Sequence, residues 1–328
     1  MRKSVKFIFF GSVICLIFVL LSMCIGSVRY NVYEIFKALL RYKEYDESLR
    51  YIVIHMRLPR TLGAILTGAC LSLGGMIYQC ILRNPMADSY VLGISSAASC
   101  SLSLAVLLGI CSVSSPTVSL FAFVGSSVLS LTLAGTFKDR ETLLLIGIAS
   151  NFFLSALSTL FIYMGKDRMN TVIFWQMGSL ASLDWLKLTI IAAVLFLSAI
   201  PVIKNSQVMD IMLLDDGTAI SSGLDIKKTR ITLLIISSAL TSTVISFCGI
   251  IGFVGLVAPH AVKLVLGDGH KKTIVPIILT GSSLMLMSDI VSRTVLKPSE
   301  LPVGIVTSLI GAPVFLLMLR QNRKISNA

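Results

Sequence analysis

Between residues 89 and 137 the chain runs for 49 residues without one Asp, Glu, Lys or Arg. A helix crosses a bilayer core of about 30 Å with about 20 apolar residues. The run therefore has the length for two crossings, and Ser114-Ser115-Pro116 offers the break between them. Shorter uncharged runs cover 7–28, 61–82, 142–165, 188–203, 231–262, 273–288 and 301–319. Gly249, Gly252 and Gly255 break the 231–262 run, and its second part extends to about residue 267. The pattern predicts an all-α polytopic membrane protein of about ten transmembrane helices.

Composition excludes the main alternatives. Only 13% of residues are charged and 55% are hydrophobic, against about 25% charged in a soluble domain. A soluble enzyme is excluded on that ground. The net charge of +12 does not mark a nucleic-acid partner, because the basic residues sit between apolar runs and not on one polar face. Residues 1–328 read as a single transmembrane domain, with 204–230 as the longest polar stretch of its second half. The seven cysteines form no CxxC pair or metal spacing, so neither a metal nor a cofactor is expected. No Gly-x-x-x-x-Gly-Lys-Ser/Thr loop occurs. The chain is expected to be non-catalytic, and ATP-driven transport would need its ATPase on another chain.

Arg2, Lys3 and Lys6 precede the first run and place the N-terminus in the cytoplasm by the positive-inside rule. Ten spans then put both termini there. Of the 28 Lys and Arg residues, 16 fall inside and 12 outside. The outer ones concentrate in 29–60. Several spans are short, with Gly and Pro at their ends, which suits a translocation pathway.

Three segments carry candidate chemistry. Arg57-Leu58-Pro59-Arg60 is expected to open the second span from outside, with Pro59 in its first turn. Two arginines there oppose the helix dipole unless an anion offsets them. Arginine holds a carboxylate through parallel hydrogen bonds, so Arg57, Arg60 and Arg293 are candidates for receiving an external partner's acids. In the 204–230 stretch, Asp216 can cap a short helix ended by Gly223, and Asp225 can cap the next. Such a compact handle suits a groove in a cytoplasmic partner. Few ionisable residues lie in the spans, chiefly Asp289 and His260. An ion-coupled carrier of an amphipathic solute, with Asp289 as its ion site, is the competing expectation.

Five strings resemble one family in register. They are Arg57-Leu58-Pro59-Arg60; Thr67-Gly68-Ala69 with 78–87 and Leu92-Gly93-Ile94; Trp175-Gln176-Met177-Gly178-Ser179; 249–260; and Ser288-Asp289 through Arg293 with 300–305 and Gly311-Ala312-Pro313. From about residue 50 to 320 the chain resembles the FecCD-type permeases of ABC importers for ferric siderophores, haem and cobalamin. The resemblance implies a cobalamin-importer-like permease fold in a bacterial plasma membrane. It implies a dimer with a second permease subunit, identical or related, and a pathway along the dimer interface. Two cytoplasmic ATPase subunits and an extracytoplasmic substrate-binding protein complete the assembly it implies. A ferric siderophore is the first expectation for the cargo, with haem or cobalamin next. Carried over residue by residue, Arg57, Arg60 and Arg293 dock the binding protein. Asp215, Asp216, Gly217, Ala219 and Gly223 couple to the ATPase, and Asn84 and Pro85 gate the exit. The chain departs from the family pattern at Gly217, where an acid is usual, at Ser222, where leucine is usual, and at Ser89, where proline is common.

Overall fold

A computed structural model describes residues 2–26, 30–40, 47–111, 117–136, 140–214, 216–221 and 223–326. Every regular element among them is helical. In chain order these are α1 (Arg2–Cys24), α2 (Val32–Leu40), α3 (Glu47–Tyr51), a π-helical turn (Ile52–Arg57), α4 (Leu58–Leu82), α5 (Ile94–Leu107), α6 (Thr117–Thr136) and α7 (Arg140–Gly165). A 3-10 turn (Lys166–Met169) leads to α8 (Asn170–Gln176), α9 (Trp185–Lys204), α10 (Ser206–Met212), α11 (Asp216–Ser221), α12 (Ile226–Cys248), α13 (Val254–Leu266), α14 (His270–Thr294) and α15 (Val303–Ser326).

Among the described residues, seven helical runs are long and apolar enough to cross a membrane: Lys3–Cys24, Glu47–Leu82, Thr117–Gly135, Arg140–Gly165, Trp185–Lys204, Ile226–Cys248 and His270–Thr294. Three shorter apolar helices, Ile94–Leu107, Val254–Leu266 and Val303–Met318, fall where the remaining uncharged runs were read. The expected break at 114–116 lies outside the described residues.

α4 is the central helix. Almost all of it beyond its first turn is buried, against α14, α12, α13 and α9. α4 and α14 cross where Gly68 meets Gly281. A Cβ on either would run into the other's backbone carbonyl, so the crossing distance depends on both being glycine. The outside of the bundle is apolar, with Phe9, Phe10, Phe152, Phe153, Phe196 and Leu197 exposed. The interior is rich in hydroxyls: Ser99 meets Ser158 at 2.7 Å and Tyr78 meets Thr241 at 3.2 Å. Apolar surface outside and small polar residues between helices is the arrangement a bilayer selects.

Two local readings are corrected. The helix carrying Arg57 and Arg60 does not begin there. It is helical from Glu47, passes through the π turn and continues to Leu82. Leu49 and Val53 bury against Met23, Ile35 and Ala38, while Glu47 and Arg50 hide the segment from a count of uncharged residues. Pro59 has no N–H for the carbonyl four residues back, and its ring crowds that carbonyl. The wider π turn before it accommodates both effects. The chain is likewise not helical directly after residue 89. It turns through 84–93 and enters α5 only at Ile94, after Gly93 at φ +78°.

Candidate functional site

Functional side chains gather at the two ends of α4, and a further cavity lies between the 86–91 turn, the 250–256 segment and α15. At the arginine end, Asp289 of α14 is fully buried and takes two cations. Arg60 Nε lies 2.8 Å from its Oδ1, and Arg293 Nη2 lies 2.9 Å from its Oδ2. The i,i+4 spacing of Asp289 and Arg293 puts both on one helix face. Arg60 Nη1 also donates to both oxygens of Glu300, at 2.8 and 3.1 Å. Arg293 donates to Ser22 Oγ at 2.8 Å and to the Ile25 carbonyl at 3.1 Å. Arg57 donates to the Met23 carbonyl, and its guanidinium lies 4.6 Å from the centre of the Tyr30 ring.

Arg57 and Arg293 are only 6% and 5% exposed. All three predicted arginines nonetheless line one cavity of about 460 Å³, together with Tyr30, His55 and Glu300. Among the described residues, Asp289 and Glu300 are the carboxylates paired with these arginines, and both pair with Arg60. The expected helix N-terminus at Arg57 is overturned: the helix is continuous from Glu47, and Asp289 and Glu300 are the anions beside Arg60. Asp289, the carrier reading's ion-site candidate, stands between two guanidinium groups. Glu300 was visible in the sequence only as part of a string. Its pairing with Arg60 crosses 240 residues of chain, and no spacing rule reaches that far.

At the other end, the Asn84 end, α4 stops because Arg83 adopts a left-handed conformation at φ +46°. Arg83 Nε donates to the Met212 carbonyl at 2.7 Å, and Arg140 Nη2 reaches the same oxygen at 3.2 Å. The last residue of α10 is thereby tied to the ends of α4 and α7. Asn84 Oδ1 accepts from Met86 N at 2.9 Å and shapes the turn containing Pro85. Asn84 and Pro85 line a polar cavity of about 510 Å³ with Gln79, Arg83, His260 and Lys263. Asp210 Oδ1 accepts from the backbone N–H of His270 at 2.8 Å and meets its Nδ1 at 2.6 Å. This pins α10 to the start of α14.

α11 follows α10 directly. Ala219 is buried, Gly217 is exposed, and Gly223 sits at φ +78°. Asp225 caps α12 by accepting from Lys228 N at 3.0 Å. Asp215 and the side chain of Asp216 lie outside the described residues.

The further cavity, of about 680 Å³, opens between the 86–91 turn, the end of α8, the 250–256 segment and α15. Most of its walls are apolar. Asp88, 4% exposed, is its charged residue. Asp88 Oδ1 accepts from the Ser89 N–H at 2.7 Å and from the Ser89 hydroxyl at 3.4 Å. Burial outweighs those donors and pushes its pKa up to about 6. Sequence reasoning missed Asp88, which reads as one more charge in a polar turn. Gln176, in the same wall, donates to Ser99 at 2.6 Å.

The FecCD transport family profile matches residues 14–321. The hemin transport system permease HmuU of Yersinia pestis is 30% identical, over 94% of this chain and 95% of that one. The vitamin B12 import system permease BtuC of Shigella boydii is 31% identical, over 98% of this chain and 97% of that one. Among solved structures, a metal-chelate type ABC transporter in an inward-facing conformation superposes with a TM-score of 0.83 at 28% identity. That match covers 96% of this chain and 99% of the other.

Proposed function

This chain belongs to the FecCD transport family, as an ABC transporter permease of the metal-chelate, haem and vitamin B12 importer type, and from that premise we propose that it passes a ferric siderophore through a bacterial plasma membrane. In this reading residues 1–328 form one permease domain of ten spans with both termini in the cytoplasm. The permease pairs with a second copy or a related chain. Two ATPase subunits bind below, and an extracytoplasmic binding protein delivers the cargo from above.

The observation that carries the reading is that α4 joins two unlike ends. It has 25 residues and is about 38 Å long at 1.5 Å per residue. One end holds a pocket lined by three arginines. The other is hydrogen-bonded through Arg83 to the segment leading into α11. Binding-protein carboxylates dock at the Arg57, Arg60 and Arg293 pocket, where they compete with Glu300 for Arg60. ATP closes the ATPases against α11, where Asp215, Asp216, Gly217, Ala219 and Gly223 form the contact. α10 carries that movement to Arg83, and the turn at Asn84 and Pro85 opens or closes the exit.

Deleting the gene and supplying ferric siderophore, haem or cobalamin separately tests the cargo. Radio-iron uptake from the siderophore should be lost, with haem and cobalamin use intact. A defect confined to haem or to cobalamin would reassign the cargo.

A further inference from the structure

We propose that the groove between α1 and α14 binds an anionic phospholipid. A cavity of about 490 Å³ opens there toward the outside of the bundle. Phe7, Phe10 and Ile14 line it from α1, and Leu279 lines it from α14. Gly11 makes the groove: with no side chain, it leaves α1 concave opposite Leu279. A Cβ at this position would sit 3.6 Å from Leu279, an ordinary contact. Close packing therefore does not require glycine here, as it does at Gly68.

Charge at the mouth selects the occupant. Lys3 and Lys6 line the cavity's end, and both are exposed. α1 carries no acidic residue at all. Ser4 Oγ donates to the Lys272 carbonyl at 3.1 Å, which fixes the start of α1 beside the first turn of α14. That turn adds Lys271 and Lys272. The nearby acid is Asp268, in the turn before α14, and the Lys272 side chain lies along that turn against Gly269. Lys3 and Lys6 are the cations that line the cavity itself and face a ligand in it.

Length agrees. From Lys3 to Ile14 is eleven helical steps, about 17 Å. One leaflet's share of a hydrocarbon core of about 30 Å is about 15 Å. An acyl chain fits along the groove while its phosphate sits at the lysines, as in basic pockets between transmembrane helices. The bound lipid would brace α1 against α14, the helix that carries Asp289 and Arg293. The proposal needs α1 and α14 to lie in a bilayer, but it does not depend on the cargo or the ATPase.

The test is native mass spectrometry of the full chain in mild detergent. Phosphatidylglycerol and phosphatidylethanolamine with the same acyl chains are offered in equal amounts. Phosphatidylglycerol should be retained about thirtyfold better, the product of two lysines near a phosphate. The Lys3→Ser, Lys6→Ser double variant should hold both lipids equally. Gly11→Leu should fill the groove and weaken both. These are exposed or half-buried positions, and unchanged thermal unfolding in lipid-free detergent checks that the variants fold. No phosphatidylglycerol preference in the parent, a preference that survives loss of the lysines, or full binding by Gly11→Leu would each overturn the proposal.

Discussion

Asp289 and Asp88 are both buried carboxylates, one at the arginine end of the bundle and one packed at Gly255 beside the middle of α4, and they are handled in opposite ways. Asp289 lies between Arg60 and Arg293, 2.8 Å and 2.9 Å from their guanidinium nitrogens. Asp88 has only the donors of Ser89 among its described hydrogen bonds, and burial lifts its pKa to about 6. The arginine end is thus an ionic structure built on three arginines. The Asn84 end is held by the Arg83 and Arg140 contacts to the Met212 carbonyl and by Asp210 on His270, and the carboxylate of Asp88, deeper in the bundle, is close to taking up a proton. Charge at Asp289 is structural. Charge at Asp88 is a liability of the fold, kept beside the large apolar cavity.

The same substitution should therefore have opposite signs at the two sites. Asp289→Asn leaves two buried guanidinium groups short of a partner and should cost about 3–5 kcal/mol. Thermal unfolding of the purified chain measures this, and a loss below 1 kcal/mol would break the contrast. Asp88→Asn should instead stabilise the chain at pH 7 by about 3 kcal/mol, since each pKa unit corresponds to about 1.4 kcal/mol. The sign follows from proton uptake. Asp88's folded pKa lies above its ordinary value of 3.8, so between about pH 4 and 6 the folded chain holds more proton than the unfolded one. Its contribution to stability falls as pH rises through that window and is level above it. The advantage of Asp88→Asn should vanish toward pH 4, and an advantage independent of pH would refute the assignment.

Arg83→Ala sharpens the contrast at the Asn84 end. It removes the bond to the Met212 carbonyl and should cost about 1 kcal/mol of stability. Its larger effect should be on coupling, with uptake by the assembled transporter falling more than its ATP hydrolysis. Equal losses of both would make the contact merely structural. The smallest effect on stability is expected from Glu300→Gln. Its side chain is 43% exposed, and such a pair contributes about 0–1 kcal/mol. Binding-protein capture should nonetheless strengthen, because the competitor for Arg60 is weakened. Weaker capture would mean that Glu300 positions Arg60 and does not compete for it.

How much of this was legible in the sequence depends on the range of the interaction. Uncharged runs locate apolar helices because the bilayer acts on each segment separately. Even α5 and α13, too short to pass a length test, were placed by the 49-residue run and by Gly249. The segment 47–57 was not legible as helix: its charges face away from Leu49 and Val53, and a count of charges cannot see which face they occupy. Asp225 capping α12 was readable because a cap is local. The Arg60–Glu300 and Arg83–Met212 contacts were not, since each joins positions more than a hundred residues apart. Asp88 was missed for another reason: whether a turn carboxylate is solvated depends on what packs over it.

The measurement that bears most directly on the central claim is purification of the tagged chain in mild detergent from its native host, with mass identification of the chains that accompany it. The account predicts an ATPase in amounts equal to the permease, with a second, related permease present if the pair is not identical. A chain that purifies alone and supports gradient-driven transport after reconstitution would contradict it.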